Sequence, residues 1–349
     1  MSNLTLSPPI TAGKAKKEFI NYIHSFRGLA IIFVVSGHLL LKWEDDSITY
    51  KAIRVLCENG TVLFVFIAGF LFQFLSRKFE FKTYLSKKVA NVVVPYILVS
   101  LPIIVYRLTS NDIPGYIINS FPDFTNWTGF QKLLYFLFTG AHMQQLWFVP
   151  MIAIFYLTAP IFIALDRNSK WYYVLIPLVV LSSILIREPF NDIPRMFIHF
   201  LSVYIFGMFV SHYRQRFLGF MDRYRVLLSL VTILLLAFNY YYFPLYNNAF
   251  NYLHKMMFCA VFIYLLWKYD RFVPSLLGSL AEISFGIFFV HYYVLLVIKA
   301  IYEKFMHQPI PGNLIYWIID FLLVMILTVV SINIVKKIFP NNSRTLVGC

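Results

Sequence analysis

NYIHSFRGLAIIFVVSGHLLL, residues 21–41, is a run of spanning length broken by few polar side chains, chief among them Arg27 and His38. A bilayer is crossed by roughly 20 predominantly apolar residues in a helix, and a helix at the surface of a soluble domain would carry a charged stripe that is missing here. Moving outward with the same ruler gives further segments near 60–76, 88–107, 145–165, 171–187, 196–213, 225–243, 249–267, 276–300 and 314–336, about ten spans in all. The whole chain agrees: of 349 residues 60% are hydrophobic and 13% charged, and the mean hydropathy is +0.70, whereas about a quarter of a soluble domain is charged. Aromatic residues, 19% of the chain, gather near the ends of the apolar runs, where interfacial belts form. The prediction is an all-α polytopic membrane bundle. Residues 131–140 are too short to span and are expected to be interfacial or re-entrant.

The formal net charge of +14 follows topology and forms no face for nucleic acid. Of the 30 Lys and Arg, nineteen fall on the side of the N-terminus, including Arg77, Lys87, Lys88, Arg167, Arg214, Arg216, Lys268 and Arg344; ten, including Lys42, Arg107, Arg187 and Lys299, fall on the other, and Arg27 lies within the first helix. The basic bias places both termini in the cytoplasm, with a tail over 1–20, a membrane domain over 21–338 and a second tail over 339–349, in a multi-pass protein of the plasma membrane. Cys57, Cys259 and Cys349 are widely spaced, so neither a disulfide framework nor a metal site is expected. The apolar run behind the polar and basic N-terminus lacks an A-x-A-like cleavage site, so a removed signal peptide is disfavoured.

Ionisable groups inside a membrane cost roughly 2.5–3.5 kcal/mol each at a helix centre and ordinarily face a cavity or a partner. Arg27 and His38 are eleven positions apart, which leaves them within about 20° of one face and roughly 16 Å apart along the axis. A long ligand entering from the cytoplasm would meet a cation first and a general base second, a geometry suited to acyl-CoA. The plain alternative is that Arg27 snorkels to headgroups while His38 bonds a neighbouring helix; His24 is read as interfacial. Lys87, Lys88 and Asn91 open the third span, with Lys88 and Asn91 on one face where a phosphate-bearing ligand fits, although topological anchoring explains the lysines equally well. Ser284 and His291 lie near one face of the ninth span, Glu282 just before it and Asp320 in the tenth. These four rank behind His38, since each could close an interhelical hydrogen bond.

Arg27 and His38 with Phe26-Arg27-Gly28-Leu29-Ala30 resemble the R-x10-H signature of the acyltransferase-3 family of membrane acyltransferases. Phe66-Ile67-Ala68-Gly69-Phe70 is similar to its F-x-S-G-F element, and Lys88-x-x-Asn91 with Pro95-Tyr96 stands in the place of its R-x-x-R and Pro-Tyr. Leu146-Trp147-Phe148 resembles its L-W-F-L, and Ser284 to His291 its S-Y-x-x-Y-L-x-H. Ala68 replaces the usual serine, and Lys88 with Asn91 replaces two arginines, so bidentate phosphate gripping there is lost. The resemblance implies a ten-helix enzyme that moves an acyl group, usually acetyl, from cytoplasmic acyl-CoA to a hydroxyl of an envelope or exported sugar, with His38 catalytic and Arg27, Lys87, Lys88 and Asn91 on the donor side. No metal is expected. The expected partners are a glycan or lipid-linked sugar acceptor, membrane lipids and polysaccharide-assembly proteins. Two rivals stay open: an exporter of a lipid-linked glycan or polysaccharide, which the missing internal symmetry and absence of paired broken helices weigh against, and an inactive partner of a polysaccharide synthase.

Overall fold

A computed structural model describes residues 20–40, 43, 47–58, 60–185, 191–242 and 249–349. The expected N-terminal tail up to residue 19, and with it Lys14, Lys16 and Lys17, lies outside these, as do Lys42 and Arg187. Among the described residues there is no strand, only an isolated bridge between Trp43 and Gly312.

The opening helix α1 spans Asn21–His38, followed by α2 (Ile48–Cys57) and α3 (Gly60–Leu75). The Ser47 side chain accepts from Tyr50 N at 3.0 Å, starting α2 at a fixed point. Next comes one rod in which α4 (Phe81–Lys88), a π-helical turn (Val89–Val93) and α5 (Val94–Ser110) run on without a break. A short α6 (Gly115–Ser120) leads to α7 (Gly129–Thr139), which covers the segment read as interfacial; a capping box of Thr128 and Gln131 opens it and Gly140, at φ +68°, closes it.

The segment read as one span over 145–165 is two helices, α8 (Phe148–Leu157) and α9 (Ala159–Arg167), bent by 54°. Pro160 supplies no N–H to the ladder, and the Thr158 hydroxyl donates back to the Ile154 carbonyl at 2.7 Å. Among the described residues it is the one bent pair that passes for a span. Further on are α10 (Leu175–Ile184), α11 (Ile193–His212), α12 (Arg214–Arg223), α13 (Arg225–Tyr241) and α14 (Ala249–Lys268). The expected span over 276–300 is also divided, into α15 (Ser275–Glu282) and α16 (Ser284–Met306), followed by α17 (Leu314–Ile338) and the short α18 (Ser343–Val347).

Each apolar segment of the sequence therefore coincides with helix. Six helical runs are long and apolar enough to cross a membrane among the described residues, seven if the bent pair counts as one. Their outer surfaces are apolar: Ile315, Ile318, Ile319, Leu322 and Ile326 of α17, and Val226, Leu227, Leu230 and Leu234 of α13, are all exposed. Continuous apolar faces of this size need lipid rather than water as solvent.

Small residues draw the inner helices together. Gly69 of α3 lies against the Tyr204 carbonyl of α11, and Gly207 of α11 against the Phe66 carbonyl of α3; a methyl group at either would collide with backbone. This close approach of two helices through small residues is the packing that works where lipid removes the hydrophobic drive. Gly28 likewise lets α1 touch the Leu277 carbonyl of α15. Helix α1 stands at the centre, touching α3, α14, α15 and α16. At the end of the bundle where α1 begins, Asn21 donates to Asp270 at 2.8 Å, just beyond the end of α14, where Lys268 meets Asp222 of α12 at 2.8 Å.

Candidate active site

Helices α1 and α16 run side by side in the same direction, joined by two polar contacts. Near their beginnings the Arg27 guanidinium donates to Ser284 Oγ at 2.9 Å. Further along, Nδ1 of His38 lies 3.2 Å from Nε2 of His291. Sequence periodicity placed Arg27 with His38, and Ser284 with His291, on single faces; packing turns those two faces toward each other.

The bonds of His291 assign the proton on His38. His291 is fully buried, and its Nδ1 is 2.8 Å from the Ile287 carbonyl, which can only accept. In the neutral ring Nδ1 is therefore the donor and Nε2 the acceptor, so the bond to His38 takes its proton from His38 Nδ1. That puts the lone pair of His38 on Nε2. The ring of Tyr292 stands edge-on to His38 with centroids 5.9 Å apart, and its hydroxyl donates to Gln144 Oε1 at 2.9 Å.

His38 opens on a narrow cavity walled by Val34, Thr61, Phe64, Gln145, Trp147, Phe148, Phe285 and Phe288. Gln145 is buried, and its Oε1 has no hydrogen-bond partner. An unpaired polar atom so enclosed carries a desolvation penalty of about 1–3 kcal/mol, which a bound hydroxyl or amide would relieve. Gln144, Gln145 and Tyr292 escaped the sequence reading; the signal that could have found them is two adjacent glutamines just before the Leu146-Trp147-Phe148 element of a spanning segment.

At the other end of the seam three cations gather. Lys88 and Arg344 both lie close enough to Arg27 for their charges to repel it, and neither Arg27 nor Lys88 pairs with a carboxylate among the described residues. The Lys88 ammonium sits over the rings of Tyr156, at 4.9 Å, and Tyr84, at 5.5 Å, which hold its stem by cation–π attraction. Arg344 comes from α18, which folds back against α5 and α16, with Cys349 against Gly286 beside Ser284. The sequence signalled Arg344 only as a basic residue of the C-terminal tail.

The remaining candidates fall elsewhere. Lys87 is exposed. The Asn91 amide donates to the Lys87 carbonyl at 2.6 Å, serving the backbone where the π turn opens the helical ladder. Glu282 is exposed at the end of α15. Asp320 lines a separate cleft with Leu39, Trp43, Lys299, Glu303 and Trp317. No group of three or more His, Cys, Asp or Glu that could hold a metal ion occurs among the described residues.

The structure is thus a lipid-facing helical bundle with an oriented imidazole in its interior and a cluster of cations at one end of the same seam. The family is shown by its profile, that of an acyltransferase domain, which matches residues 20–333: the chain belongs to the acyltransferase-3 family and is a membrane acyltransferase. No curated relative and no solved structure matches it.

Proposed function

We propose that the protein is an O-acetyltransferase of the plasma membrane, crossing it about ten times with both termini inside, which moves an acetyl group from cytoplasmic acetyl-CoA to a sugar hydroxyl of an envelope or exported polysaccharide. The observation that carries the reading is the pair His38 and His291, in which the bond to His291 puts the basic lone pair of His38 on Nε2. Nε2 takes the proton of the sugar hydroxyl; the oxygen attacks the thioester carbonyl, a C–O bond forms, the C–S bond breaks, and the thiolate of CoA leaves and takes up a proton. Arg27, Lys88 and Arg344 suit the phosphates of the donor, because like charges collected in a low-dielectric site are stabilised by an anion between them. Gln145, with an unsatisfied oxygen beside His38, suits the acceptor hydroxyl. The glycan acceptor, the lipids and any polysaccharide-assembly proteins are the partners this reading requires.

The test is the purified protein in lipid nanodiscs, given radiolabelled acetyl-CoA and extracted glycan. Release of free CoA together with labelled glycan is expected, and both should vanish in His38→Ala protein that still elutes as a folded species. Glycan passage across a vesicle membrane without CoA release would overturn the reading in favour of an exporter.

A further inference from the structure

A second basin, none of whose lining residues is shared with the His38 cavity, lies elsewhere in the bundle. The ends of α3, α9 and α11 and the start of α12 enclose a basin of about 650 Å³ lined by Gln73, Phe74, Arg77, Asp166, Ser211, His212, Arg214 and Arg216, among others. Its one acidic wall residue, Asp166, is already engaged: it accepts from Gln73 Nε2 at 3.2 Å, from the Tyr172 hydroxyl at 2.7 Å and from His212 Nδ1 at 2.7 Å. Of the three arginines, Arg77 and Arg216 have no carboxylate partner among the described residues, and Arg214 lies over the Phe74 ring at 5.7 Å. Topological anchoring would account for arginines at this depth, but not for Ser211. That residue is 8% exposed, lines the basin, and its Oγ has no hydrogen-bond partner. Helix α12, ten residues long, begins at this wall with no side-chain cap.

We infer that this basin binds a phosphate group, held by Arg77 and Arg216 with Ser211 donating to one of its oxygens. Phosphate is the anion whose several oxygens match guanidinium forks and a hydroxyl together. Two sources share this chemistry: the headgroup of an anionic phospholipid, consistent with the exposed Trp171 and Tyr173 near Tyr172, and a soluble phosphate compound.

The experiment follows the unfolding temperature of the full-length protein in detergent. It is titrated separately with short-chain phosphatidylglycerol, inorganic pyrophosphate and, as a phosphate-free control, short-chain diacylglycerol. A saturable rise with the first alone assigns a lipid headgroup; a rise with pyrophosphate assigns a soluble ligand; either supports the site. In Arg77→Gln/Arg216→Gln protein the midpoint should move at least about tenfold to higher concentration, and Ser211→Val should shift it in the same direction while retaining all three arginines. Arg223→Gln, on the same helix but outside the basin, should leave it in place. No saturable rise with either phosphate compound, an unmoved midpoint in the Ser211→Val protein, or an equal shift in Arg223→Gln would overturn the proposal.

Discussion

Nδ1 of His38 and Nε2 of His291 stand 3.2 Å apart across 253 positions of sequence, and the Ile287 carbonyl, 2.8 Å from the far nitrogen of His291, fixes which of the two histidines carries the basic lone pair. In the proposed reaction His291 is a positioning residue, holding one tautomer of His38 and one ring orientation. Where a histidine ligates a metal, the partner that orients its far nitrogen is typically worth 10–100-fold, and the same scale is expected for an oriented base.

Replacing His291 with Ala should lower kcat about 10–100-fold with little change in the KM for the acyl donor. His291→Gln, which can still offer an acceptor oxygen to His38 Nδ1, should recover part of the loss. Steady-state kinetics on the two variants checks this; equal loss in both, or a loss confined to donor KM, would count against a tautomer-holding role.

Arg27 carries the complementary expectation at the other end of the seam. Arg27→Lys keeps the charge but removes the planar fork that bonds Ser284, so the KM for acyl-CoA should rise about tenfold while kcat changes little. Ser284→Ala should move KM the same way by less. Donor titrations at two salt concentrations measure this, and a variant with unchanged KM and reduced kcat would contradict a donor-side role.

Gly207→Ala tests the packing on which the site rests. A methyl group there meets the Phe66 carbonyl with nowhere to go, and overpacking of this sort costs about 1–3 kcal/mol. The unfolding temperature in detergent should fall clearly, whereas Gly129→Ala, where a methyl group meets nothing within 4 Å, should leave it near the wild-type value.

Asp222, outside the spanning segments, ties α12 to α14. Hydrogen bonds from Lys268, at 2.8 Å, and from the Tyr264 hydroxyl, at 2.7 Å, hold its carboxyl below the ordinary carboxylate range. With the folded-state value depressed, the unfolded chain binds the proton first, so this contribution is present above the ordinary range and is lost as pH falls through the folded-state value. Unfolding temperatures recorded from pH 6 downward should drop less steeply in Asp222→Asn than in the wild type; parallel curves would show that the contact carries no pH dependence.

Much of this protein was legible one segment at a time. Whether 20 residues prefer lipid is a property of those residues alone, so the apolar runs, the basic loops and the shared face of Arg27 and His38 could be read from the chain, as could Ser284 and His291 as a second pair. Local pattern also misled where the backbone breaks: the bend at Thr158, where Pro160 removes a ladder bond, and the division between α15 and α16 were read as continuous spans.

What the sequence by itself determined was the helical membrane bundle, the family motifs and the candidate base. Only the tertiary structure decided which faces meet: that His38 finds His291, that Arg344 returns to Arg27, that Asn91 turns to its own backbone while Glu282 stays outside and Asp320 lines another cleft. The rotation of one helix against another is set by close contacts between distant positions, such as Gly69 on Tyr204 and Gly28 on Leu277, and the periodicity of a single helix holds no information about its neighbour's angle.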